Sequence, residues 1–166
     1  MEIIIRPYKI EDCTSILEIV NYTILNSTAL YEYVPRTLEQ QQNILADKLL
    51  NGFPVFVAEN NGFVVGFGLF GTFRFKEAYK NTIEHSVYVS IESQGKGIGK
   101  KLLSALIEKA KAQNYHTMIA VIDAENKSSI RFHKNFDFKT VGYLKETGFK
   151  FNRWLDTVFM QLMLLN

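Results

Sequence analysis

Cysteine is almost absent: the 166-residue chain has one, Cys13. No internal disulfide can form, and a lone thiol suits a reducing compartment such as the cytoplasm. No apolar run approaches the roughly 18 residues of a membrane span, so no membrane partner is expected. The opening Met1-Glu2-Ile3-Ile4-Ile5-Arg6 has no basic stretch leading into a long apolar one and does not look like a signal peptide. Without secretion, the glycosylation-type triplet Asn126-Lys127-Ser128 is an empty match. An excess of either charge is missing too. With 19 basic against 17 acidic residues the net charge is +2, too balanced to argue for nucleic acid. Proline occurs three times. There is no Pro/Gly/Ser-rich linker, no long charge run and no internal repeat, so one domain is expected over residues 1–166. No G-x-x-x-x-G-K-[ST] motif is present, which excludes the usual nucleoside triphosphate cradle.

Apolar residues are plentiful at 47%, and 13% of the chain is aromatic. A chain of this length buries roughly 70% of its unfolded surface, so one substantial core is expected. The aromatics suffice for that core and leave some for a pocket or a subunit interface.

Hydrophobic periodicity gives the order of elements. Ile3-Ile4-Ile5 reads as a strand ended by Pro7. Asp12 is placed to cap a helix whose stripe is Ile16, Leu17, Ile19 and Val20. Residues 21–35 read as irregular. Thr37-Leu38-Glu39-Gln40 fits a capping box for a helix that Gly52 and Pro54 close. Val55 to Glu59 and Phe63 to Phe75 read as strands joined through Asn60-Asn61-Gly62. Ser86 to Val89 is a strand. Gly97 to Ala112 is an amphipathic helix with Leu102, Leu103, Leu106, Ile107 and Ala110 on one face. Thr117 to Ile122 is a strand, Asn126 opens a short helix, and Phe138 to Leu144 and Thr157 to Leu164 are closing strands. Helices and a hairpin first, then β-α-β-α-β-β, define a mixed α/β fold. Its sheet is largely antiparallel with one crossover near the middle.

The most informative segment runs from Val87 to Leu102. A strand enters Gln94-Gly95-Lys96-Gly97-Ile98-Gly99-Lys100-Lys101, and that loop opens the amphipathic helix. Glycines let backbone N–H groups converge on one point. The helix N-terminus adds free donors and partial positive charge. Together they suit a phosphate or pyrophosphate, with Lys96, Lys100 and Lys101 able to add charge. A formal G-x-G-x-x-G at Gly66-Phe67-Gly68-Leu69-Phe70-Gly71 is filled by bulky side chains and precedes no clear helix. It reads as a strand with small residues at a bend or bulge.

Gln94-Gly95-Lys96-Gly97-Ile98-Gly99 resembles the Q/R-x-x-G-x-G/A pyrophosphate loop of the GNAT superfamily of N-acetyltransferases. The likeness extends over Phe73-Arg74, Ala78-Tyr79, Thr82-Ile83-Glu84, Ser86-Val87-Tyr88-Val89, Asn126, Ser129-Ile130, His133-Lys134 and Gly148 to Asp156. These match the phosphinothricin and methionine-sulfone acetyltransferase branch, along nearly the whole chain.

The resemblance implies a three-layer α/β/α fold and acetyl-CoA as donor, with no metal. It places the pantetheine arm on Val87, Tyr88 and Val89. The cofactor's remaining contacts fall on Gln94, Gly95, Lys96, Gly97, Ile98, Gly99, Lys100, Asn126 and Ser129. Glu84 matches the proposed general base. An alkylamine is mostly protonated at pH 7, and attack on a thioester needs it neutral. A backbone N–H at Tyr88 or Val89 is the natural donor to the oxyanion. His133 stands on the last helix where many relatives use a tyrosine as general acid, and it is the candidate acid toward the leaving thiolate or a cofactor contact, against a partly buried helix histidine. Arg74 suits an acceptor carboxylate, with Lys76, Tyr79, Tyr31, Leu30 and Tyr33 around it. Lys76 replaces a family arginine. Trp154 and Asp156 are read as structural or dimer residues, and a homodimer is implied. His85 should point away from Glu84 by strand alternation. Asp137 stands where glycine is common, and aspartate tolerates a left-handed turn.

The function so implied is acetyl transfer to the amino group of a small amino-acid-like acceptor. Two alternatives stay open: acetylation of another amine (a polyamine, an aminoglycoside or a protein N-terminus), and a non-catalytic acetyl-CoA-binding module.

Overall fold

The computed structural model describes residues 2–164. In chain order the elements are β1 (Ile3–Pro7), α1 (Cys13–Asn26), α2 (Leu38–Leu50), β2 (Val55–Asn60), β3 (Phe63–Thr72), β4 (Thr82–Val89), α3 (Ile98–Ala112), β5 (Thr117–Asp123), α4 (Lys127–Lys134), β6 (Lys139–Lys150) and β7 (Arg153–Met163). The strands form one sheet in the order β1-β2-β3-β4-β5-β7-β6. Among the described residues the β4–β5 pair is parallel and the other pairs are antiparallel. The expected central crossover is therefore α3, carrying the chain from β4 to β5.

Strand alternation builds two apolar faces. On one, Val55, Val57 and Phe67 pack under α1 and α2 through Ile16, Ile19, Val20, Ile24 and Leu45. On the other, Phe70, Ile83, Met118 and Met160 pack under α3. The result is the expected three-layer α/β/α arrangement. The anticipated stripe Leu102, Leu103, Leu106, Ile107 and Ala110 is buried throughout. Gly66 and Gly68 explain the formal glycine motif. A Cβ on Gly66 would lie 2.9 Å from Tyr88 O and 3.3 Å from Ile98 Cγ2, and one on Gly68 would lie 3.0 Å from Leu106. These glycines let α3 lie down on β3, as the strand reading anticipated. The register shift in this hairpin falls between Ala58 and Glu59 of β2, and the extra residue opposite it is Val65 on β3, next to Gly66, where the sequence reading placed a bend or bulge.

Several local expectations hold. Thr37 and Gln40 form the capping box at the start of α2, a device worth about 1 kcal/mol. Asn61 and Gly62 turn with φ of 51° and 83°, and Asp137 takes the left-handed conformation at φ 65°.

Others are corrected. Asp12 stands at the N-cap position of α1 without a side-chain cap bond. Its carboxylate instead accepts from the Arg6 guanidinium at 2.7 and 2.8 Å and from Lys9 N–H at 2.8 Å. The Arg6 pairing holds its pKa below the usual carboxylate range. Helix α1 continues through Asn26 because Ile24 extends the buried stripe. Strand β3 ends at Thr72 rather than Phe75, and β4 starts at Thr82 rather than Ser86. Strands β6 and β7 are longer than the sequence suggested. They meet at Phe151-Asn152, both with φ above 50°.

Candidate active site

The parallel pair β4–β5 holds for three residues only, Thr82–Glu84 against Thr117–Ile119. Beyond them β4 stays with β3 up to Val89, while β5 stays with β7 up to Asp123. The two strands separate, and a cleft of about 760 Å³ opens between them. Its lining includes Glu84 to Val89 from β4, Ala120 to Asp123 from β5, Gln94 to Lys100 apart from Lys96, residues of α4, and Thr28 to Tyr31.

Which backbone groups face the gap follows from the β3–β4 ladder. Ser90 N–H donates to Val65 O at 2.9 Å. Alternation from that bond turns Ser86 and Tyr88 N–H toward β3 and leaves Val87 and Val89 facing the cleft. The Gln94 side chain accordingly reaches Val89 O at 3.4 Å. This corrects the placement of an oxyanion donor at Tyr88: its N–H belongs to the sheet. The Tyr88 ring lies on the α1 side, 5.2 Å from the Phe67 ring, and burial pushes its hydroxyl pKa up.

One mouth of the cleft is the glycine loop. Gly95 and Gly97 have φ of 75° and 77°, a conformation that L side chains resist. Gly97 is the N-cap of α3 and offers no side-chain cap. The first amides of this 15-residue helix therefore have no side-chain acceptor, and their partial positive charge faces outward. Of the three lysines, Lys100 lines the cleft. Lys96 Nζ donates back to Glu92 O at 2.7 Å, and Lys101 Nζ to Ile3 O at 3.2 Å. The side chains of Lys96 and Lys101 are thus engaged away from the cleft, which leaves Lys96 only its backbone at the loop. The Ile98 side chain, on the first residue of α3, is buried with Ile3, Ala58 and Leu102, and the residue also borders the cleft. Asn126 caps α4, accepting from Ser129 N–H at 3.0 Å, and both residues line the cleft.

Glu84 lies within β4, where β4 and β5 part, rather than just before a strand. Burial raises its pKa above the usual glutamate value, opposed by the charges of Lys48 and Arg74.

His85 points to the opposite face, as alternation requires, and is buried against His133 and Phe138. His133 Nδ1–H donates to Ser129 O at 2.7 Å, which leaves Nε2 to accept from His85 Nε2–H at 3.1 Å. Both ring nitrogens of His133 are occupied, so it has no free proton for a leaving group. The sequence placed His133 correctly on α4 but not its partner. Burial lowers both pKa values, that of His85 to about 3. Unfolded histidine binds a proton near pH 6.5, so the unfolded state gains protons first as pH falls. Stability is then full above pH 6.5 and declines below it. In thermal melts from pH 7.5 to 5.5, Tm of the wild type should fall more steeply than that of His85→Leu. Parallel slopes would remove the pair as an acid-sensitive element.

The expected acceptor residues divide. Tyr31 lines the cleft. Arg74, Lys76 and Tyr79 lie on the exposed stretch between β3 and β4 and are not part of its wall. Arg74 stacks on Phe73 at 5.3 Å, and its charge is felt at Glu84. Sequence reasoning missed Thr28, Asp123 and Phe132. Asp123 is nearly buried and accepts from the Thr28 hydroxyl and from Glu125 N–H at 3.0 Å. Its position at the carboxyl end of β5 was the available signal. Trp154 packs edge-on to Phe149, with ring centroids 5.0 Å apart. Asp156 accepts from Tyr143 Oη and Glu146 N–H, bracing the irregular part of β6.

The cleft thus joins a strand pair that parts beside a half-buried carboxylate to a helix start whose first amides lack a side-chain cap. Residues 5–159 match the Acetyltransferase (GNAT) domain family, and the chain belongs to that family. It is 42% identical over 156 residues to the L-methionine sulfoximine/L-methionine sulfone acetyltransferase of Salmonella typhimurium, covering 92% of this chain and 90% of that protein. An N-acetyltransferase from Staphylococcus aureus superposes with a TM-score of 0.98 at 46% identity, over 99% of this chain and 100% of that one. A GNAT superfamily phosphinothricin acetyltransferase from Sinorhizobium meliloti, in complex with AcCoA, superposes with a TM-score of 0.95 at 40% identity, over 98% and 89%. The enzyme is an acetyltransferase of the methionine-sulfone and phosphinothricin branch.

Proposed function

We propose that the protein transfers the acetyl group of acetyl-CoA to the amino group of a small amino-acid-like acceptor of the methionine sulfone, methionine sulfoximine or phosphinothricin type. The observation that carries this reading is the separation of β4 from β5 at Glu84, with the α3 N-terminus at the same cleft. The cleft lies between the parting strands β4 and β5, as a pantetheine arm needs. Its exposed strand edge at Val87 and Val89 and its helix N-terminus fit a thioester cofactor with a pyrophosphate.

Acetyl-CoA supplies an activated acyl carbon. Gly95 to Lys100 hold its pyrophosphate through backbone N–H groups, with Gln94, Asn126 and Ser129 beside them. Val89 and Val87 hold the arm, and Val87 N–H, the nearer to Glu84, faces the acyl oxygen. Glu84, with its pKa raised by burial, takes the proton from the acceptor ammonium directly or through one water. Arg74 reads the acceptor carboxylate from outside the cleft wall, and Tyr31 borders the acceptor. Lys76 and Tyr79 fall outside this assignment. His133 is left to orient α4 rather than to donate a proton. The half-buried carboxylate argues against a sensing module, which has no use for a base.

Residues 1–166 are read as one acetyltransferase domain acting in the cytoplasm, as a homodimer. The lone, buried Cys13 suits that compartment. Trp154, 61% exposed beside the edge strand β6, suits a subunit contact. Among the described residues no helix is long and apolar enough to cross a membrane.

The test is thiol release from acetyl-CoA across a panel of amines: methionine sulfone, methionine sulfoximine, phosphinothricin, ordinary amino acids, polyamines and a short peptide. The expected result is turnover confined to the amino-acid group. Preference for polyamines or the peptide would overturn the acceptor assignment and favour an open-groove enzyme.

A further inference from the structure

Lys150 is a nearly buried cation, 4% exposed, that the mechanism does not use. Its Nζ donates to three backbone carbonyls: Ile24 O at 2.7 Å, Ser27 O at 2.7 Å and Leu30 O at 2.6 Å. These bonds close chain separations of 126, 123 and 120 residues. An ammonium has three protons to donate, so its capacity is filled by this one set of acceptors.

The acceptors are not scattered. Ile24 is in the last turn of α1, whose final carbonyls lack helical partners and carry the negative end of the helix dipole. Helix α1 has no basic residue of its own in that turn. Ser27 is its C-cap, and Leu30 lies in the segment that follows. Thr28, Ala29, Leu30 and Tyr31 of that segment line the cleft. Lys150 therefore ties the end of α1 and the cleft wall to β6 at one point. Tyr31 adds a second tie. Its hydroxyl lies 3.3 Å from Thr157 Oγ1, and its ring fills the space over Gly148. Burial lowers the Lys150 pKa, and the charge of Glu32, on the same segment, opposes the shift.

We propose that Lys150 is a positioning residue for the acceptor: by gathering the carbonyls of Ile24, Ser27 and Leu30 it fixes the Thr28–Tyr31 wall at the height at which the acceptor amine meets Glu84. The inference rests on the acetyltransferase reading of the cleft. No part of Lys150 touches the reacting atoms. Its influence is confined to the acceptor side, because the cofactor contacts lie on β4, α3 and α4.

Two measurements decide it. In steady-state kinetics, Lys150→Met should raise the KM of the best acceptor of the panel by about tenfold or more, with the acetyl-CoA KM within about twofold of wild type. A general loss of structure moves both constants or simply lowers the amount of active enzyme. Equal shifts in the two KM values, or an unchanged acceptor KM in folded protein, would overturn the proposal. If Lys150→Met does not accumulate folded, Lys150→Gln, which keeps two donors, carries the same comparison. The second measurement uses the wild type and needs no turnover. Backbone amide hydrogen exchange over residues 27–31 should be as slow as in the last turn of α1. Exchange at the rate of a free loop would overturn the proposal even if every amine were inert, whereas inert amines with slow exchange would fault the acetyltransferase reading alone.

Discussion

Glu84→Gln should lower kcat by about 100-fold, with acetyl-CoA affinity nearly unchanged. The amide is nearly isosteric but takes no proton, and the acceptor arrives as an ammonium. The cofactor contacts proposed above fall on other atoms: the cleft-facing edge of β4 beyond Glu84, and the loop that opens α3. The same substitution should stabilise the fold at neutral pH. Burial raises the Glu84 pKa, so the folded state binds the proton more tightly than the unfolded chain. Between the ordinary value of 4.5 and the raised one, stability falls as pH rises, and the cost is full above that window. Glu84→Gln removes the cost. Its Tm should exceed that of the wild type at pH 8 and approach it as pH falls through the window. Stopped-assay kinetics with thermal melts at several pH values read both effects. An unaltered kcat would remove Glu84 as base, and a lower Tm at pH 8 would contradict its desolvation. The rate of the wild type should accordingly rise with pH on its acid limb, with a midpoint above that of a free glutamate.

The second large effect is expected at the glycine loop. Gly97 has φ 77° and ψ 5° and no atom within 4 Å of where a Cβ would stand. The barrier to a side chain there is conformational rather than steric crowding. A β-branched residue in this region costs upward of about 1–2 kcal/mol. The loop escapes the strain by relaxing, and the amides then cease to converge. Each lost bond to a charged phosphate costs about 1.5–3 kcal/mol. Gly97→Val should therefore raise the acetyl-CoA KM roughly 100-fold, which corresponds to about 2.8 kcal/mol. The acceptor KM, measured at saturating acetyl-CoA, should stay within about threefold, since Thr28 to Tyr31 lie on another segment. An acetyl-CoA KM within error of wild type would show that the pyrophosphate does not sit on this loop.

Much of the fold was legible because the signals are local. The capping box at Thr37, the Asn61-Gly62 turn and the five-residue stripe of α3 depend on neighbours a few positions away. The three-layer arrangement followed from the order of those elements and from the family likeness. The β6–β7 hairpin was half missed for an equally local reason. Its turn is Phe151-Asn152 with φ of 53° and 57°. Phenylalanine is a poor advertisement for a positive φ, and the sequence carries no Asn-Gly or Asp-Gly there. The start of β4 was missed because residues 82–84 pair with β5 and residues 83 onward with β3. That pairing was invisible until the crossover was in place.

The sequence by itself determined the family, the glycine loop before α3, the carboxylate at position 84 and the helix that carries His133. Each is written in a short run of residues whose chemistry or spacing is distinctive. Only the tertiary structure decided how those groups are used. The β3–β4 register chose Val87 and Val89, not Tyr88, to face the cleft, since a strand's free edge depends on where its neighbour leaves it. Packing of α4 on β4 gave both nitrogens of His133 to Ser129 and His85. The outward course of the β3–β4 connection left Arg74, Lys76 and Tyr79 off the cleft wall. The ammonium of Lys150 reached three carbonyls more than a hundred residues away. Hydrogen bonds across such separations depend on how layers stack. A linear sequence gives the groups that must be satisfied, but not which of them will meet.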